Sequence, residues 1–164
     1  MKRALRGPFR PMLFNSMEID PMPTHHTGDT PSGLATLAVF DVTEFPLVVV
    51  RNDAIASAGY AQRWLDDMHT LMQHGEPFVM IFPPARPDET HDDRKERGMW
   101  LKQNRAALAT VCRALVSIEP DPAEREAAVA NASGIEKAFG IPFDVTASLD
   151  DAKQAGRRRL LEAV

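Results

Sequence analysis

The densest cluster of reactive side chains lies in residues 86–97, where Arg86, Arg94, Lys95 and Arg97 alternate with Asp88, Glu89, Asp92 and Asp93. Thr90 and His91 sit at its centre. A helix starting there would offer free backbone amides to an anion, and the arginines would reinforce the hold. The acids of the same stretch oppose that, so the plain alternative is a solvated loop that neutralises itself. His91 with Asp92 or Asp93 has the make-up of an acid–base pair, but no serine or cysteine nucleophile adjoins it. Thr90, with Asp93 three residues on, matches a helix N-cap. Its hydroxyl therefore reads first as a cap contributing about 1 kcal/mol.

Elsewhere the chemistry thins out. His69 and His74 are five apart and miss a common helix face, which excludes an i, i+4 metal pair. The adjacent His25 and His26 have no fixed ligand geometry. Cys112, the single cysteine, excludes a disulfide framework and suits a small core residue beside Leu108 and Leu115. There is no Gly-x-Gly-x-x-Gly, P-loop or Cys-x-x-Cys. No cofactor and no metal are expected, and the balance is against an enzyme. Trp100 falls off the apolar stripe of Leu101, Leu108 and Val111, either as an exposed partner contact or as cover for a sheet edge.

The elements that must position these residues follow from periodicity. Residues 34–41 and 45–51 are short, β-branched runs joined tightly, so they read as an antiparallel pair of strands. Residues 54–74 form a helix whose stripe carries Trp64, Leu65, Met68 and Leu71, and Gly75 ends it. A third strand over 77–82 stops at Pro83-Pro84, and a second helix follows from Thr90 with its apolar face running to Cys112 and Leu115. Residues 114–119 are a strand. Asp121-Pro122 opens a helix that ends at Gly140, with Gly134 a weak point inside it. Residues 142–147 make a fifth strand, and Ser148 caps a last helix ending in Arg157-Arg158-Arg159. The order ββαβαβαβα predicts an α/β domain, with a five-stranded, mostly parallel sheet, an antiparallel first strand and four helices.

Residues 1–33, punctuated by Pro8, Pro11, Pro21, Pro23 and Pro31, read as a flexible extension before a single domain at 34–164. A net charge of −4 argues against nucleic acid as a partner. No apolar run reaches the ~18–20 residues of a membrane span. The basic Met1-Lys2-Arg3 start lacks an apolar run after it, so a cytoplasmic location is expected.

The element order resembles the STAS domain, the fold of anti-sigma-factor antagonists. The stretches Arg97-Gly98-Met99-Trp100-Leu101-Lys102-Gln103-Asn104 and Phe143-Asp144-Val145-Thr146-Ala147-Ser148 resemble its SpoIIAA-like branch. Phosphorylatable members of that superfamily carry Asp-x-Ser after the third strand. This chain has Phe82-Pro83-Pro84-Ala85-Arg86-Pro87-Asp88-Glu89-Thr90 there, so Thr90 offers the one hydroxyl. The resemblance implies a non-enzymatic regulatory or interaction domain, meeting a protein partner or a small ligand through Arg86, Thr90, His91, Arg94 and Trp100. Two alternatives stay open. One is a small-ligand carrier or enzyme with a pocket between sheet and helices built from Tyr60, Trp64 and Met68; the other is a structural homodimer subunit.

Overall fold

A computed structural model describes residues 33, 34 and 37–162. The expected extension, apart from Gly33, lies outside the described residues, as do His25 and His26. The chain runs β1 (Phe40–Asp41), β2 (Leu47–Val50), α1 (Asn52–Ile55), α2 (Tyr60–His74), β3 (Phe78–Phe82), α3 (His91–Val111), β4 (Cys112–Ile118), α4 (Pro122–Phe139), β5 (Phe143–Thr146) and α5 (Leu149–Glu162). The strands lie in the order β1-β2-β3-β4-β5, with β1 antiparallel to β2 and every other pair parallel. The α/β class, the strand directions and the element order are those the periodicity predicts.

Three boundaries differ, each for a local reason. The expected helix over 54–74 is two helices, making five among the described residues. Gly59 takes a left-handed φ of 80° between them, and the second helix starts afresh at Tyr60. The first strand is only two residues long. Val39 places its amide on the carboxylate of Asp67 in α2 (2.6 Å) instead of in the ladder. Cys112, expected on the second helix, belongs to β4, which starts two residues before the expected 114, because α3 passes into the strand with no turn residue between. Gly134 does not interrupt α4.

Sequential parallel strands joined by right-handed crossovers must carry their connecting helices on one face. Accordingly α2, α3 and α4 cover one side of the sheet and α5 alone returns across the other. Alternation along β3 divides its side chains between the two sides: Phe78 and Met80 face the aromatic helices, while Val79 and Ile81 face α5. The α5 side is close-packed. Gly156 approaches so near that a Cβ there would lie 2.9 Å from Leu47 Cδ2 and 3.1 Å from Val79 Cγ1.

Caps fix the starts of α3, α4 and α5. Thr90 Oγ1 accepts from the Asp93 amide (3.1 Å), Asp121 from Glu124 (2.9 Å) and Ser148 from Asp151 (3.1 Å). No helix among the described residues is long and apolar enough to cross a membrane.

Candidate functional site

On the three-helix side the packing is incomplete. A cavity of about 230 Å³ lies between the carboxyl ends of the parallel strands and the helices above them. Val50, Met80, Leu115 and Ser117 form its floor. Tyr60, Trp64 and Met68 of α2 wall one side, and Ile135 and Phe139 of α4 wall another. The lining is apolar except for Ser117, Tyr60 and two arginines, Arg86 and Arg97. The carboxyl edge of an open parallel sheet is where α/β proteins tend to place their ligands.

The walls are rigid on the α2–α3 side. Trp64 meets Trp100 edge-to-face with ring centroids 5.3 Å apart, and Trp100 Nε1 donates to His69 Nε2 (3.3 Å). Trp100 is therefore a buried support, 6% exposed, and not an exposed partner contact. Asp93 ties the two helices end to end. Its buried carboxylate accepts from the amides of Gly59 (2.9 Å) and Ala61 (3.1 Å) and from the Thr90 hydroxyl (2.7 Å). These bonds, Thr90's foremost, hold its pKa below the usual carboxylate value. An anion at the first turn of α2 also answers the partial positive charge of that helix end.

The mouth is polar. Glu89 accepts from Arg97 Nη2 (2.7 Å) and Nε (3.3 Å), from Arg94 Nε (3.4 Å) and from the Tyr60 hydroxyl. Burial works against the Glu89 charge, yet the Arg97 and Tyr60 bonds outweigh it and the carboxyl titrates below its usual value. Burial and the bond to Glu89 push Tyr60 up to about 12. Arg97 lies 5.9 Å from the Trp64 ring centroid, and Arg86 lies 5.1 Å from that of Phe82. Partial desolvation and the nearby Arg97 charge hold Arg86 below the usual guanidinium value.

The loop that delivers Arg86 is pinned. Ala85 occupies the left-handed region at φ 57°, a strained choice for a residue with a Cβ. Asn52 Nδ2 holds the neighbouring carbonyls of Pro84 (2.9 Å) and Ala85 (3.5 Å).

Of the residues the sequence singles out, Arg86 lines the cavity, and Arg94 lies beside its mouth with its side chain 65% exposed. Thr90 is the helix cap, and His91 is an exposed first residue of α3. Cys112 is buried, its thiol pushed up to about 12 by desolvation, and it is not a nucleophile. In the sequence Glu89 and Arg97 stand out only as parts of a self-neutralising charged stretch. The structure makes them the hinge pin of the mouth, a pairing fixed by the fold. Among the described residues no three His, Cys, Asp or Glu side chains converge to hold a metal ion. Comparison with family models, with curated proteins and with solved structures returns no match, so the functional reading rests on this cavity and its rim.

Proposed function

We propose that the domain binds a small, largely apolar molecule in this cavity, as a carrier or sensor and not as an enzyme. The observation that carries the reading is the largely apolar space itself, about 230 Å³ between the sheet and the three helices over it. Protein interiors ordinarily leave few voids larger than one water. At the ~30 Å³ that a water occupies in the liquid, the space takes about eight heavy atoms. Apolar walls with a few polar groups converging at one end are the usual make-up of a ligand pocket.

Binding is favoured over turnover by the state of the polar groups. The Tyr60 phenol stays protonated far above neutral pH, and its hydroxyl is committed to Glu89. The Ser117 hydroxyl has no histidine or carboxylate beside it in the cavity wall. A sensor of this kind serves regulation when occupancy alters the loop over the mouth. Thr90, His91 and Arg94 lie at the start of α3 beside that loop, in the region where the STAS resemblance implies a partner contact.

The chain's two tryptophans report on the site, since Trp64 lines it and Trp100 stacks on Trp64. Titration of the full chain with neutral 1-octanol is expected to change their emission saturably. A response that stays linear and matches that of free tryptophan amide would remove the reading.

A further inference from the structure

The arginines at the mouth have unequal surroundings. Arg97 spends its charge on Glu89 through two hydrogen bonds, and Arg94 and Tyr60 occupy the rest of that carboxylate. Arg86 is left over. Among the described residues it meets no carboxylate within ion-pairing distance, and its guanidinium rests against Phe82, itself part of the cavity wall. Glu89 thus answers Arg94 and Arg97, and the Arg86 charge at the mouth has no ion-pair partner of its own among the described residues. Asn52 and the left-handed Ala85 fix the backbone that presents Arg86, so little backbone freedom remains to be lost there when a ligand arrives. A planar fork of donors at the end of an apolar chamber suits a planar, singly charged acceptor.

We infer that the ligand is an amphipathic monoanion, a medium-chain or aryl carboxylate, whose apolar body lies between Met68, Met80 and Leu115 and whose carboxylate is held by Arg86. The inference rests on the cavity reading and deepens it. Arg86 is the anion-recognising residue, and Arg97 is a positioning residue that keeps Glu89 away from it.

Octanoate and 1-octanol share an eight-carbon chain and differ in charge, so the pair isolates the headgroup. By tryptophan emission at neutral pH, octanoate is expected to bind the full chain about tenfold more tightly than octanol, the gain of a charge-assisted hydrogen bond over a neutral one. Arg86→Met should abolish that preference and leave octanol affinity within about twofold of wild type, since only the headgroup contact is removed. Arg94→Met, at an exposed neighbour, should keep it. Equal affinities in the wild type would overturn the carboxylate assignment while leaving the cavity reading intact. A preference that survives Arg86→Met, or falls equally in both variants, would overturn the role given to Arg86. Absence of saturable binding by either probe would overturn the cavity reading and this inference together.

Discussion

The two faces of the sheet are packed by opposite means. On one, α5 brings Ala152, Ala155 and Gly156 down onto Leu47, Val79 and Ala114, so that small residues let the backbones close and no space is left. On the other, long helices carry Tyr60, Trp64, Met68 and Trp100, whose bulk holds the helices off the strands. Close approach makes a solid layer, whereas large rings at the rim of a twisted sheet leave a chamber. Helix α4 shows the difference most plainly: none of its residues is buried, although Ile135 and Phe139 reach the cavity. The same five strands thus support a structural face and a face with room for a guest.

The largest expected effect comes from testing that contrast with one substitution at two helix glycines. A Cβ at Gly156 would already lie 2.9 Å from Leu47 Cδ2 and 3.1 Å from the stiff Val79 side chain, and valine adds two methyl groups. Gly156→Val is expected to destabilise by about 3 kcal/mol through overpacking. A Cβ at Gly134 in α4 meets nothing within 4 Å. Gly134→Val should stay within about 0.5 kcal/mol of wild type, because strain is absent and valine is a slightly better helix former than glycine. Gly134 faces solvent and so serves as the helix control; urea denaturation measures the difference, and equal losses would mean that α5 is not closely packed at Gly156.

Next in size is the Glu89 hub that closes the open face. Glu89→Gln leaves the Arg97 guanidinium, 18% exposed in its side chain, without its carboxylate. A cost of about 1–2 kcal/mol at pH 7 is expected for a hydrogen-bonded pair only partly screened by water. Because the folded carboxyl titrates below its usual 4.5, the native state binds fewer protons than the unfolded chain as acid is added. Its contribution is therefore fully present above about 4.5 and is lost as the pH falls further. The stability gap between wild type and Glu89→Gln, followed by thermal unfolding, should be constant from pH 7 to 5 and shrink below that. A gap that grew in acid would place the charge elsewhere.

Much of this architecture is legible in the residues because its signals are local. Alternating and 3.6-residue periods mark the strands and helices. Thr90, Asp121 and Ser148 cap where their types and spacing say they should, and Gly75 and Gly140 end helices in the left-handed conformation. The signals fail where two periods run together. Leu108, Val111, Cys112 and Leu115 continue one apolar series, yet the chain turns from helix to strand between Val111 and Cys112 without a glycine or proline to show it. They fail again where the partner is distant in sequence. Asp93 reads as the third position of its own helix, but it also caps α2 through Gly59 and Ala61. The stripe of Tyr60, Trp64 and Met68 is visible as apolar; that it lines a cavity depends on how far α4 is held off. Which of several arginines is left without a carboxylate is likewise decided by geometry, since Arg86, Arg94 and Arg97 are equivalent as letters.

The smallest expected effect sharpens the contrast from the cavity side. Ser117 faces the chamber from β4, between Phe82 on β3 and Val145 on β5, and its hydroxyl occupies little of the space. Ser117→Leu projects two more heavy atoms into a cavity of about 230 Å³ and removes a polar group from an apolar wall. Cavity filling of this kind is expected to stabilise by about 0.5–1 kcal/mol, whereas added volume under α5 destabilises. The same change should weaken octanol binding about tenfold, because the ligand and the new side chain compete for one volume. Stability rising while affinity falls would show that the open face trades packing for occupancy. If both fell together, the chamber would lack the room assigned to it, and the contrast between the two faces would fail on the cavity side.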